Sequence, residues 1–315
     1  MNEKTRNQIN EMKKQTIGVE IEMNNITRQK AAKIAATFFG TGRVEYTANR
    51  NGYMTWSAWD AQGREWKFSR DVSISGPDDE KCEMVTPILT YADIESLQEL
   101  CRQLRRAGAK SDATRGCGVH IHIGAKGHTP QTLRNLANIM ASHESLLAEA
   151  LKLDRSRMNR YCRTVDPNFL REVNLKKPTS MARLADIWYT SQGEDYGRSQ
   201  HYNGSRYHML NLHATFTKGT VEFRLFQFDA PANGKQNGIH AGQLKSYIQL
   251  CLALSQMAKE VRTASPKPQQ NENPKYAMRT WLLRLGFIGE EFETARDILT
   301  RNLTGDAAFR HGRAA

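Results

Sequence analysis

Strict alternation is the feature that most constrains this chain. Three short runs, residues 18–22, 118–123 and 220–226, place ionisable side chains at every second position and apolar ones between them. A period of two argues for a strand and against a helix, because successive strand side chains point to opposite faces. Glu20 and Glu22 therefore share a face, as do His120 and His122, and Glu222 and Arg224. Val19, Ile21, Val119, Ile121, Ile123, Val221, Phe223 and Leu225 fall on the other side. Placed in one sheet, these strands would gather three carboxylates, two imidazoles and a guanidinium on one surface. Such a surface repels itself unless cations sit in it, so the pattern points to a metal enzyme.

The rest of the chain mixes strands and helices out of strict alternation. Thr27 is placed to cap a helix that runs to Phe39, with Gly40 at its end. Residues 43–72 read as a β-meander, with short aromatic strands at 44–46, 53–56 and 65–68 separated by the turn signals Asn51-Gly52 and Gln62-Gly63. A strand is expected at 83–85, stopping before Pro87. Thr90 and Asp93 then form a capping-box pattern ahead of Ile94, Leu97, Leu100 and Leu104. Thr129-Pro130 opens a long helix to about Leu153. Residues 154–204 are polar and poorly periodic, which suggests short helices and a mobile loop over the site. Strands are expected near 208–217 and 220–227, then a helix over 238–260. Strand runs mixed with helices in this order predict an α+β fold with an antiparallel sheet. The domain reading is a catalytic domain over 1–262, a linker rich in Pro, Gln and Asn over 263–275, and a small helical tail over 276–315.

Bulk properties exclude several classes. No apolar run approaches the roughly 18 to 20 residues of a membrane-spanning helix, and the polar start lacks the apolar core of a signal peptide. Cys82, Cys101, Cys117, Cys162 and Cys251 are scattered and form no C-x-x-C pair. They read as free thiols in a reducing compartment, so the expected location is the cytoplasm. The formal net charge of +12 suits anionic partners such as nucleotides. A nucleic acid or other macromolecular acceptor would fit that charge, but nothing in the sequence requires one.

Each ionisable pair alone is ambiguous. Glu20 and Glu22 could line a solvated strand, His120 and His122 could be surface histidines, and Glu222 with Arg224 could be an ion pair. Together, each backed by an apolar face, they favour a site. Carboxylates with a single histidine suit Mg²⁺ or Mn²⁺ better than the tetrahedral Cys/His set of structural zinc.

The ordered series 18–22, Cys82-Glu83-Met84-Val85-Thr86-Pro87, 116–122, Arg206-Tyr207, Asn211-Leu212 and 221–224 resembles the amidoligases. These are carboxylate–amine ligases related to γ-glutamylcysteine synthetase and glutamine synthetase. The resemblance runs over roughly residues 16–250. It implies a glutamine-synthetase-like catalytic domain, in which a curved antiparallel sheet with flanking helices cups Mg²⁺ (or Mn²⁺) and the phosphates of ATP. By motif position, Glu20, His120 and Glu222 would hold the metal that bridges the ATP phosphates. Glu22 and Glu83 would hold the metal nearer the acceptor, with Asp71 completing that set at a longer spacing. His122 would approach the nucleotide, and Arg206 and Arg224 would hold the phosphoryl group in transfer or the substrate carboxylate.

The reaction so implied moves the γ-phosphoryl of ATP onto a carboxylate and lets an amine displace the phosphate. The substrates would be an amino acid, peptide or polyamine and its partner acid, and homo-oligomeric assembly is left open. Two further readings use the same residues: a kinase of the same fold, which would keep the phosphoryl group on its product, and a metal-dependent hydrolase built on the His-x-His strand, which would turn over without ATP. Trp56, Trp59 and Trp66 read as sheet packing before adenine stacking. Cys82 and Cys117 lack an evident histidine partner, and Tyr207, His208 and His213 read as structural.

Overall fold

Alternation becomes strand at all three runs. The computed structural model describes residues 2–47, 52–230, 238–268 and 272–309. In chain order, helix α1 (Glu3–Lys13) leads into β1 (Ile17–Met23), helix α2 (Arg28–Phe38), and the strands β2 (Val44–Tyr46), β3 (Trp56–Trp59), β4 (Glu65–Ser69) and β5 (Cys82–Val85). Helix α3 (Ile94–Arg106) and strand β6 (Val119–Gly124) follow. The described residues fall into two compact units. One holds Thr16–His122 and Phe226–Lys245; the other holds Met1–Gln15, Ile123–Leu225 and Ser246–Ala315.

The first unit is a sheet with strand order β2-β3-β4-β5-β1-β6. Neighbours β2/β3, β3/β4, β4/β5 and β1/β5 pair antiparallel. Register links Ile21 to Met84 and Met84 to Phe68, so these side chains share a face, and all three are fully buried. Helix α2 packs on β3 and β4. Its buried residues include Ala31, Ala32, Ala35 and Ala36, and small side chains let a helix approach a sheet closely. Thr27 starts this helix by accepting a hydrogen bond from Lys30 N. Helix α3 packs on α2 and begins at a capping box between Thr90 and Asp93. Leu97, Leu100 and Leu104 bury its apolar stripe.

The meander differs from expectation at one point. The second strand begins at Trp56 instead of Tyr53, because Met54 takes a left-handed φ of 44° that interrupts the extended run. Asn51 of the expected Asn51-Gly52 turn lies outside the described residues, as do 269–271 of the expected linker and 310–315 of the tail.

The second unit is mainly helical. It holds α4 (Pro130–Ala150), α5 (Arg155–Arg160), α6 (Pro167–Lys176) and α7 (Met181–Ser191). Thr129, Asp154, Asp166 and Ser180 cap these helices with side-chain hydrogen bonds. Next come β7 (Leu210–Asn211), α8 (His213–Thr217) and β8 (Thr220–Phe226), with β7 antiparallel to β8. The strand expected over 208–217 is therefore only two residues long and gives way to a short helix. Asn211 is the reason: its side-chain oxygen accepts from His213 N at 2.8 Å and turns the chain out of the strand. Helix α9 (Ala241–Glu260), α10 (Pro274–Arg284) and α11 (Glu293–Thr300) complete the chain. Helix α11 packs on α4, and Asn302 donates to the Ala150 carbonyl at 2.9 Å. The architecture is thus mixed helix and antiparallel sheet. Among the described residues no helix is long and apolar enough to cross a membrane.

Candidate metal and phosphate site

Strand register assembles the carboxylates of the sheet unit. Glu22 on β1 lies directly opposite Glu83 on β5, so both side chains leave the same face of the sheet. Glu20, two residues away on β1, shares that face. Like charges directly opposite one another destabilise an antiparallel pair, so the Glu22–Glu83 juxtaposition calls for a compensating charge. Asp71, after β4, joins them: Glu22, Asp71 and Glu83 each offer a carboxylate oxygen, all within 4.8 Å of one another. Glu20, Glu83 and His120 offer a second set of ligand atoms within the same distance, with Glu83 common to both. An all-oxygen trio suits a hard divalent cation, and a mixed oxygen–nitrogen trio suits Mn²⁺ as well as Mg²⁺.

Neighbouring donors orient these groups. Gly118 N donates to Glu22 Oε2 at 2.6 Å, while Glu22 N donates back to the Gly118 carbonyl at 3.1 Å. Asp71 Oδ1 accepts from both the amide and the hydroxyl of Ser73, each at 2.7 Å. The two histidines flank Glu20: His120 Nδ1 lies 3.0 Å from Oε2, and His122 Nε2 lies 3.3 Å from Oε1. Burial works against the ionisation of Glu20, but His122 and His120 outweigh it and hold the carboxyl well below its usual range.

Glu222, Arg224 and Arg206 belong to the helical unit. Glu222 and Arg224 point to the same face of β8, are 2% and 4% exposed, and form a buried ion pair through Arg224 Nη1 and Glu222 Oε1. The other carboxylate oxygen, Oε2, accepts from Asn211 Nδ2 at 2.6 Å. Arg206 is also buried, and its Nη1 donates to the His201 carbonyl at 2.9 Å. The Tyr207 ring lies within cation–π range of both guanidinium groups, 5.7 Å from Arg206 and 5.9 Å from Arg224. Arg157 adds a brace by donating to the Arg224 carbonyl at 3.0 Å. Two forked guanidinium groups held this way can bind phosphate or carboxylate oxygens in pairs.

The putative amidoligase enzyme family model matches residues 13–255. The chain belongs to this family. No curated protein matches the sequence. Among solved structures the chain is similar to a bifunctional glutathione synthetase from Pasteurella multocida, with 13% identity and a TM-score of 0.45 over 96% of this chain and 49% of that one. It thus spans about half the length of that relative.

Other side chains of this chain have structural partners. His208 Nδ1 is 2.6 Å from the Thr164 carbonyl, and His213 Nδ1 is 2.7 Å from Tyr189 Oη. Trp66 is buried and donates to Asp60, Trp56 packs against Tyr46, and Trp59 lies under the Arg43 guanidinium. All five cysteines are free and buried. Burial pushes the Cys82 and Cys101 thiols up to about 12 and raises the other three as well, which leaves none of them a ready nucleophile. Asn211, Tyr207 and Gly118 fall within the ordered motif series but carry no role readable from it, and Arg157 lies outside the series. For Asn211 a local signal exists, since Asn two residues before a change of direction is a common turn former. The roles of the others come from tertiary proximity, which spacing along the chain does not reveal.

Proposed function

We propose that this chain is an ATP- and Mg²⁺-dependent carboxylate–amine ligase that forms an amide through an acyl phosphate and releases ADP and phosphate. The observation that carries this reading is the direct apposition of Glu22 and Glu83 across β1 and β5, with Asp71 beside them, in a chain of the amidoligase family. Glu22, Asp71 and Glu83 would hold one divalent cation, Glu20 and His120 would contribute to a second, and Glu222 would be a metal ligand by its motif position. Bound Mg²⁺ or Mn²⁺ would supply positive charge against the phosphate oxygens of ATP.

The residues themselves do the rest. A substrate carboxylate oxygen attacks the γ-phosphorus of ATP, and ADP leaves. The transferring phosphoryl spreads negative charge over its oxygens, which the planar forks of Arg206 and Arg224 are suited to bind. His122 lies on the nucleotide side of this reading. The amine nitrogen then attacks the acyl carbon, phosphate leaves, and the amine loses a proton. Removing one such charge-stabilising donor commonly lowers the rate about 10²- to 10³-fold. In this reading the sheet is that of a glutamine-synthetase-like catalytic domain within residues 1–262, acting in the cytoplasm on an amino acid, peptide or polyamine and an acid. Residues 263–275 then serve as a linker, and 276–315 as a small helical C-terminal tail.

The test is Mg²⁺-dependent release of ADP and phosphate from ATP with pooled acids and amines, comparing wild type with Glu222→Gln. Release that rises with one acid–amine pool and disappears in the variant supports the ligase. A phosphoryl group retained on the product points to a kinase, and turnover of a substrate without ATP points to a hydrolase. Either result overturns the reading.

A further inference from the structure

We propose that Asn211 is a positioning residue that holds the Glu222 carboxylate in the orientation it needs to bind metal. This rests on the reading of Glu222 as a metal ligand. The two residues are register partners across β7 and β8, and both are almost fully buried, at 1% and 2% exposed. Asn211 Nδ2 donates to Glu222 Oε2 at 2.6 Å. Its Oδ1 accepts from His213 N at 2.8 Å. That second bond decides which way the amide faces. Flipping it would set Oδ1 against a carboxylate oxygen and the NH₂ group against a backbone N–H, losing both bonds.

Glu222 is thereby gripped at both oxygens, by Asn211 at Oε2 and by Arg224 at Oε1. Donors on both oxygens block rotation of the carboxylate and fix the plane in which it meets an ion. Donors that orient a metal-binding side chain in this way typically govern affinity about 10- to 100-fold. The brevity of β7 follows from the same residue: the amide that reaches across to Glu222 also ends the strand.

Asn211 thus has a turn-forming bond and a positioning bond, and Asn211→Ser separates them. A serine hydroxyl can accept from the amide two residues on but is too short to reach Glu222. Mn²⁺ binding to the full chain, read by electron paramagnetic resonance, should weaken about 10- to 100-fold for one class of ion. Circular dichroism reports folding; if Asn211→Ser does not fold, Asn211→Thr takes its place, with the same short hydroxyl and a better strand former. Asn135→Ala is the control, because it removes a buried amide of the same unit that donates to Val261 O at 2.8 Å. It should leave Mn²⁺ affinity unchanged. Equal weakening in Asn135→Ala would reduce the effect to general loosening and overturn the proposal. So would wild-type affinity in Asn211→Ser alongside loss of one bound ion in Glu222→Ala, which would spare the ligand role of Glu222. Unchanged binding in Glu222→Ala would remove that role, and this proposal with it.

Discussion

Glu144 makes stability pH-dependent in a way one substitution can isolate. It lies in the third quarter of α4, is 4% exposed, and accepts from Val165 N at 2.9 and 3.1 Å through its two oxygens. Burial pushes its carboxyl up to about 7, and the single backbone donor offsets this only in part. The folded state therefore keeps a proton that the unfolded state releases near pH 4.5. A raised pKa means the contribution is fully present below the unfolded value and is lost as pH rises through the folded value. Between pH 5 and 8 the loss integrates to about 2.5 kcal/mol. Glu144→Gln cannot titrate. Its amide has its own fit to the site, but that cost is the same at every pH. Urea unfolding of both chains at pH 5, 6, 7 and 8 should show the stability difference moving by about 2.5 kcal/mol in favour of the glutamine chain. Other buried groups, including His128, whose burial takes it down to about 3, contribute equally to both chains and cancel. A difference that stays flat within about 0.5 kcal/mol would refute the burial argument.

Three further outcomes are expected. Asp71→Asn should weaken Mn²⁺ binding about tenfold or more while metal-free stability stays level or rises by about 0.2–1 kcal/mol, since like charge is removed; Mn²⁺ titration and urea unfolding without metal read the two effects, and loss of both would mean Asp71 is structural. A disulfide-exchange reagent at pH 8 should label none of the five cysteines in the folded chain and all five in urea, given their burial and raised pKa values; rapid labelling of Cys117 in the folded chain would reopen thiol chemistry. Gly238→Ala should be severely destabilising, because φ is +79° and a Cβ would lie 1.9 Å from the Ser111 carbonyl oxygen; a melting temperature within a few degrees of wild type would contradict that close approach.

Most of the sheet unit was legible because its strands carry their pattern in single residues. Alternation placed Glu20 with Glu22 and His120 with His122, and capping chemistry placed the starts of α2, α3 and α4 within a residue or two. The expected strand over 208–217 failed where a side chain overrode propensity: Asn211 bonds to the backbone two residues on and starts a helix inside a strand-like run. Met54 interrupts the meander in a similar way, through a backbone conformation that its side chain does not announce. Partners from distant parts of the chain, such as Asn302 with Ala150, have no counterpart in local spacing.

Charge compensation differs from one carboxylate of the cluster to the next. From the sequence alone, every carboxylate of the cluster demands a cation equally. In the fold, Glu20 is served by two imidazoles, which suffice to keep it ionised despite burial. Glu222 is served by a guanidinium and an amide. Glu22 and Asp71 are held by Gly118 N and by the Ser73 amide and hydroxyl, which are neutral donors. Neutral donors orient a carboxylate but do not cancel its charge, and His120 Nε2 stands 3.9 Å from Glu22, beyond hydrogen-bond reach. A divalent cation therefore gains most beside Glu22 and Asp71. Its removal by a chelator should stabilise nothing there, whereas Mg²⁺ should raise the unfolding midpoint of wild type and do so less in Asp71→Asn. Equal Mg²⁺ stabilisation of the two chains would place the cation elsewhere.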